Sequence, residues 1–140
     1  MTSLEVMRDV DCTRHLREGR LGRIALVDHD SRPVIFPVNY FFDEGVIAFR
    51  TGPGSKLDLA PGAHATFEID GWDEEKGEGW SVIAKGIAHD FTQPRYATSA
   101  RIQYWPVKPA APGVRHNWIG IVVTEITGRR FSPEGEAAPD

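Results

Sequence analysis

The most constraining feature of the sequence is a series of short apolar segments joined by turns that are too short to hold a helix. The segments at residues 24–27, 34–42 and 46–50 are rich in Ile, Val and Phe, whereas residues 28–33 and 43–45 between them contain Asp, Ser, Gly and Pro. This composition predicts strands separated by turns. Connections this short allow only antiparallel neighbours, so they exclude a sheet built from β–α–β units.

Three later segments continue the same pattern. Residues 65–70 alternate between apolar and polar side chains, and residues 80–89 and 118–127 are also typical of strands. Gly86 lies inside the second of these segments and predicts a bulge that bends the sheet. Together the six segments predict a mainly β fold, a six-stranded antiparallel split β-barrel with a few short helices.

Short helices are predicted at three places. Residues 3–17 carry apolar side chains at helical spacing, and a second helix is expected just before Pro61. A third helix is expected within residues 93–103. The prolines of residues 105–113 predict a loop or lid.

Length and composition bound the domain organisation. A chain of 140 residues with 41% hydrophobic and 26% charged side chains has the usual size and composition of one globular domain. We predict a single domain at residues 1–131 and a disordered tail at residues 132–140. The apolar segments are far shorter than a bilayer-spanning helix, and the N-terminus lacks the apolar stretch of a signal peptide, so a cytoplasmic protein without a membrane partner is expected.

Charge and cysteine content argue against several classes of function. A net charge of −4 gives no general attraction to nucleic acid. Cys12 is the single cysteine, so an internal disulfide is excluded. The histidines lack the spacing of metal ligands, which predicts no metal site and counts against a haem-binding barrel. Hydrolysis by an activated serine also lacks support, because no Gly-x-Ser-x-Gly motif is present.

The most suggestive segment for chemistry spans residues 49–57. It contains two cations, Arg50 and Lys56, two hydroxyls, Thr51 and Ser55, and two glycines that let a ligand approach the backbone. Proteins commonly hold a phosphate monoester with such groups. The alternative is an ordinary glycine-rich turn whose cations are solvated.

A second candidate surface is the strand that contains Pro37, Val38 and Asn39. Proline lacks an N–H donor, so this strand is expected at a sheet edge or at a bulge. Backbone groups and the Asn39 amide would then be available to the edge of a flat heteroaromatic ring. The alternative is a simple edge strand that Pro37 and Asn39 protect against aggregation.

Further candidates for the walls of a ring-binding site are Trp80, Ser81 and Trp118. Trp80 lies beside Ser81, and Trp118 lies beside Asn117, so each pairs a large apolar face with a small polar group. Most tryptophans in a domain of this size lie in the core or at an interface, which is the alternative for each of them.

Six segments, taken in order, resemble the pyridoxamine 5'-phosphate oxidase-like family of flavin-binding split β-barrels. The resemblance extends over about residues 4 to 131. The matching segments are LGRIA (21–25), PVNY (37–40), FRT (49–51) with GSKL (54–57), FEID (67–70), GWSV (79–82) with KG (85–86), and ITGRR (126–130).

The resemblance implies a homodimer of split barrels, with flavin mononucleotide (FMN) bound in clefts at the subunit interface. The residues that match the family's contacts to the phosphate are Arg50, Thr51, Ser55 and Lys56. The residues that match its contacts to the isoalloxazine ring are Pro37, Val38, Asn39, Trp80 and Ser81, with Trp118 as a wall contributed by the other subunit.

The activity implied by the resemblance is flavin-mediated oxidoreduction of a small molecule, without a named catalytic side chain. We expect a substrate other than pyridoxamine phosphate, because the basic residues that bind it in the longer family enzymes have no match here. Two alternatives remain open. One is a reductase that uses the deazaflavin F420, for whose acidic tail Arg20, Arg23 and Lys85 are available, and the other is a flavin-binding protein or sensor without turnover.

Overall fold

A computed structural model describes residues 2–93, 97–108 and 117–133, and these residues form eight strands and three helices. The strands are β1 (Thr2–Val6), β2 (Leu21–Val27), β3 (Pro33–Asn39), β4 (Phe41–Asp43), β5 (Val46–Thr51), β6 (His64–Asp73), β7 (Glu78–Asp90) and β8 (Asn117–Pro133). The helices are α1 (Asp9–Glu18), α2 (Ser55–Leu59) and α3 (Ala97–Ile102).

The described strands form one antiparallel sheet in the order β3-β2-β6-β7-β8-β5-β4, with β1 paired to the last residues of β8. The sheet curls, because β3 at one end of this order comes into contact with β5 near the other end. The two strands are not joined by a hydrogen-bonded ladder in the described sheet, so the barrel is split between them. The prediction of a mainly β, antiparallel split barrel is therefore confirmed.

Two clusters of buried side chains lie on opposite faces of β5. Phe49 and Phe67 are fully buried in the inner core of the barrel. The outer cluster consists of Val46, Ala48, Phe91, Ile102, Val107 and Trp118. Because alternate residues of a strand face opposite sides, β5 is apolar on both faces. Its outer face is covered by the chain's own segment around α3.

The register of β7 and β8 shifts between Lys85 and Gly86, which confirms the predicted bulge. A side chain at Gly86 would overlap the carbonyl oxygen of Val122. Glycine at this position therefore allows β8 to approach the bulged strand closely.

The prediction of one helix at residues 3–17 is wrong in its first part. These first residues form β1, in which Leu4 is the partner of Phe131 on β8, and α1 begins only at Asp9. The apolar residues of this segment fit both a helical and an alternating pattern, and the open edge of β8 favours the strand.

Two further boundaries differ from those predicted. The segment at residues 34–42 divides into β3 and β4 at Tyr40, whose N–H donates to the carbonyl of Arg20. β8 extends to Pro133, past the strand end predicted at residue 127, because its last residues pair with β1. This pairing and the division at Tyr40 raise the strand number from six to eight.

Parts of three predictions fall on residues 94–96, 109–116 and 134–140, which lie outside the described residues. They concern the start of the third helix, the end of the loop predicted at residues 105–113, and most of the predicted tail. His116, one of the five histidines, also lies outside the described residues. Across the ranges that are described, no helix is long and apolar enough to span a membrane.

Helix α1 packs on the sheet through its buried residues Cys12 and Leu16 and through a ring contact. The imidazole of His15 stacks on the indole of Trp80, with 3.7 Å between the ring centroids and 20° between the planes. Burial, reinforced by the positive charge of Arg14, lowers the pKa of His15 below its ordinary value. The neutral imidazole is therefore the form that suits this contact.

We expect the stability of the fold to decrease in acid partly through His15. Its pKa is lowered from 6.5, so its contribution to the free energy of unfolding is complete above pH 6.5 and is lost as the pH falls toward the lowered pKa. His15→Gln should flatten this pH dependence in urea unfolding followed by tryptophan fluorescence. His29→Gln, at an exposed turn position, is the control, and equal profiles for wild type and His15→Gln would contradict the prediction.

Candidate functional site

The glycine-rich segment predicted to hold a phosphate lines a cavity of about 190 Å³ at the end of β5. This cavity is called the cradle below. It opens beside β3, at one end of the split in the barrel. Its described lining residues are Phe36, Thr51, Gly52, Pro53, Gly54, Ser55 and Lys56.

Local backbone chemistry gives the cradle its shape. Gly54 has a φ of +143°, which side chains rarely permit, and α2 starts at the next residue. The buried hydroxyl of Thr51 donates to the carbonyl of Gly52 at 3.2 Å and fixes the turn. Ser55 is exposed, and the Lys56 ammonium lies 5.0 Å from the centroid of the Phe36 ring. A cation, a hydroxyl and turn backbone thus converge on one small cavity.

Arg50, the other cation predicted to contact phosphate, is absent from the described lining of the cradle. Strand alternation directs its side chain to the face of β5 opposite Thr51. Its Nη1 donates to the carbonyl of Val107 at 3.3 Å, and its guanidinium carbon lies 5.9 Å from the centroid of the Trp118 ring. The structure therefore separates Arg50 from Lys56.

Trp118 is the cross-strand partner of Arg50 and belongs to the outer cluster. It is only 5% exposed, because the segment around α3 covers it. In this position its ring packs within the protomer and does not present a free stacking face.

The strand predicted to lie at an edge does so, since β3 ends the strand order and pairs with β2. Val38 is buried in the inner core, whereas Pro37 is exposed on the outer face and Asn39 is half-buried there. Asn39 also lines a second cavity of about 330 Å³, called the outer cavity below. The described lining of the outer cavity is Arg20, Asn39, Tyr40, Pro106, Val107 and Lys108.

The cradle and the outer cavity are neighbours along β3. Phe36 lines the first and Asn39 lines the second, and a separation of three residues along a strand is about 10 Å. Arg50 links the two regions. It is a residue of β5, and its side chain donates to the carbonyl of Val107 in the wall of the outer cavity.

Trp80 and Ser81 are adjacent in sequence but lie on opposite faces of β7. Trp80 faces α1, where His15 covers it, whereas Ser81 is on the outer face as the partner of Asp70. β7 is separated from β3 by β2 and β6, a lateral distance of about 14 Å. Within one protomer the structure therefore does not bring either residue next to Asn39.

The cations considered for an acidic cofactor tail have different surroundings. Arg23 donates to Glu68 Oε1 at 2.8 Å and to Asp70 Oδ1 at 2.9 Å, and burial raises the pKa of Glu68. Lys85 is exposed on β7 opposite Glu125. Of the three, Arg20 is the one that lines a described cavity.

Phe36, Val107 and Lys108 are site residues that sequence reasoning missed. Phe36 directly precedes Pro37 in the same predicted strand, so its position in the sequence could have indicated it as a site residue. Val107 and Lys108 follow Pro106 in a segment without periodicity, and tertiary packing alone brings them to β3.

The outer face of the sheet also exposes several large apolar side chains. The sheet register places them on one face, because cross-strand partners share a face. This outer apolar surface consists of Leu4, Val6, Leu21, Val27, Ile35 and Trp72, each more than half exposed.

Comparison with known proteins agrees with this architecture. The family profile described as "Pyridoxamine 5'-phosphate oxidase" matches residues 8–130. The solved structure of the FAD binding protein from Mycobacterium smegmatis is 32% identical, with the match covering 91% of this chain and 98% of that chain at a TM-score of 0.75. A conserved protein of unknown function from Corynebacterium diphtheriae is 27% identical, with coverages of 91% and 98% and a TM-score of 0.72.

A curated relative gives a shorter match. An uncharacterized protein of Mycobacterium tuberculosis is 29% identical over 91 aligned residues, and the match covers 56% of this chain and 60% of that protein. The chain thus matches about 60% of the length of this relative. Since the family profile covers most of the sequence and the fold agrees with the solved relatives, the chain belongs to the pyridoxamine 5'-phosphate oxidase family.

Proposed function

We propose that this protein is a flavin-dependent oxidoreductase that binds FMN, with the phosphate in the cradle and the ring along β3. The observation that carries the proposal is the convergence of Lys56, Ser55 and the turn backbone beside an edge strand. Family membership supports a flavin, as does the relative from Mycobacterium smegmatis that is described as an FAD binding protein.

The residues of the cradle fit a phosphate monoester. The Lys56 ammonium neutralises charge, the exposed Ser55 hydroxyl donates a hydrogen bond, and Gly54 leaves the turn backbone open to the ligand. The described lining contains no carboxylate, so no neighbouring negative charge there opposes a phosphate. A single cradle of about 190 Å³ suits one phosphate group and is the reason to propose FMN.

The ring is proposed to lie against the outer edge of β3. Val38 directs its side chain into the core, so it offers only backbone groups, and Pro37 offers a carbonyl but no N–H. Asn39 supplies both an amide donor and an acceptor about 10 Å along the strand from Phe36. These groups would fix the orientation of the ring.

When bound, the flavin supplies the hydride and electron transfer. The chain's residues hold the phosphate, orient the ring edge and exclude water. No side chain is assigned a proton-transfer role, and no catalytic residue is named.

A homodimer completes the site in this proposal. Six large apolar side chains, each more than half exposed, share the outer face, and a second copy of the chain would cover them. Asn39 and Ser81 share this outer face but are far apart within one protomer. Packing two outer faces together would allow Ser81 of the partner subunit to approach the ring that Asn39 orients.

The first test is the visible absorption spectrum of the purified protein. The chromophore is then released and identified by its molecular mass. We expect a yellow protein that releases FMN. Reduction of the bound flavin by NADPH in the absence of oxygen would support oxidoreductase activity. Release of FAD would favour the cofactor named for the relative, and release of F420 would favour the deazaflavin alternative. Bound FMN that no donor reduces would indicate a flavin-binding protein without turnover, and failure to bind any of the three would contradict the proposal.

Replacing the cradle lysine should weaken flavin binding selectively. For Lys56→Ala we expect a loss of about 1.5–3 kcal/mol in FMN affinity, because a charge-assisted contact is removed. Fluorescence quenching of FMN measures this, with exposed Lys76→Ala as the matched control. Arg50→Ala should also weaken binding, but less, because Arg50 lies on the other face of β5. Unchanged FMN affinity in Lys56→Ala would refute the cradle, whatever the result for Arg50→Ala.

A charge on the outer apolar surface should separate the subunits. Ile35→Glu places a carboxylate at an exposed β3 position, so we expect a monomer that retains FMN poorly. Light scattering after gel filtration gives the mass. Val10→Glu, on an exposed apolar position of α1, is the control and should remain dimeric. A monomeric wild type, or a dimeric Ile35→Glu variant with normal FMN retention, would argue against this interface.

A further inference from the structure

The outer cavity is lined by two cationic side chains that do not line the cradle. Arg20 and Lys108 both line its volume of about 330 Å³, together with the Asn39 amide, and its described lining has no carboxylate. The whole chain has a net charge of −4. Two cations that face one cavity without a carboxylate therefore mark a local positive site on an acidic protein.

The position of Arg20 is fixed by backbone contacts. Its carbonyl accepts the N–H of Tyr40 at 2.9 Å, and its Nη1 donates to the carbonyl of Gly19 at 3.3 Å. The guanidinium therefore stays near the end of α1 while it faces the cavity. A planar guanidinium suits recognition of a carboxylate or phosphate through paired hydrogen bonds.

Tyr40 forms a wall of the cavity, and its hydroxyl adds no negative charge there. Its hydroxyl donates to the carbonyl of Leu16 at 2.8 Å, and burial raises the pKa of Tyr40 well above its usual range. The side chain is 2% exposed, so it stays neutral and in place. Polar recognition in the cavity is left to Arg20, Asn39 and Lys108.

The opposite wall is held by Arg50. Its hydrogen bond to the Val107 carbonyl fixes the segment that carries Pro106 and Lys108 next to β3. A cavity of this size accommodates a small molecule, with Pro106 and Val107 as its apolar contacts.

We propose that the outer cavity binds the carboxylate or phosphate group of a small organic molecule, through Arg20 and Lys108. That this molecule is the reaction partner of the flavin rests on the proposed function, because Asn39 borders both the cavity and the proposed ring site. The anion site itself depends only on the charges and contacts of the cavity.

The test compares two probes with the same ring, nicotinate and nicotinamide, which differ in charge. Backbone amide shifts of Arg20, Asn39 and Val107 report binding with and without FMN. We expect wild type to prefer nicotinate by about tenfold, since two cations face the cavity. Arg20→Gln and Lys108→Gln should each reduce the preference, and the double variant should abolish it. Arg32→Gln and Lys76→Gln, both exposed and outside the cavity, are the matched controls.

Two results would overturn the anion site. One is equal binding of nicotinate and nicotinamide by wild type, and the other is a nicotinate preference that survives in the double variant. Inorganic phosphate serves as a competitor: displacement of nicotinate shows that the site accepts phosphates as well, and its failure assigns the site to carboxylates.

The FMN-loaded arm separates this inference from the proposed function. Nicotinate preference in a protein that binds no flavin would leave the anion site standing and refute the proposed function. Loss of nicotinate binding on loading with FMN would mean that the cofactor itself fills the cavity, which would overturn the assignment to a second molecule.

Discussion

The pairing of β8 with its neighbours is the interaction on which the rest of the structure depends. β8 pairs with β7 along most of its length, with β5 through its first residues and with β1 through its last. One strand therefore fixes the register of three others and satisfies their backbone groups. Glycine permits the close approach: a side chain at Gly86 would overlap the Val122 carbonyl, and one at Gly128 would crowd the sulfur of Cys12.

The register set by β8 also decides where the cations of the site lie. Thr51 is fixed opposite Asn117, and Arg50 opposite Trp118. Because side chains alternate along a strand, a slip of one residue would exchange the two faces. In the observed register Thr51 belongs to the cradle with Lys56, while Arg50 supports the outer cavity. Two cations that look like one phosphate-binding pair in the sequence thus serve different cavities.

The features that could be predicted from the sequence depend on residue types with restricted backbone behaviour. Pro37 predicted the edge strand, Gly86 the bulge, and the glycines around the cradle its turn. The features that were missed depend on tertiary pairing. The residues of β1 form a strand because they pair with the edge of β8. No pattern in the sequence around β1 indicates that this edge is available. Trp80 and Ser81 are neighbours in sequence but face opposite sides of β7, and no local pattern shows that α1 covers the tryptophan.

Anion binding in either cavity depends on local charge, because the chain as a whole is acidic. A net charge of −4 provides no long-range attraction to anions, so anion binding must rely on cations without a nearby carboxylate. On the outer face Glu68 and Asp70 hold Arg23 at 2.8 and 2.9 Å and cancel its charge. The described linings of the cradle and of the outer cavity contain no Asp or Glu. The proposed cofactor phosphate and a second anion would therefore bind in neighbouring cavities along β3, with the proposed ring position adjoining the second site.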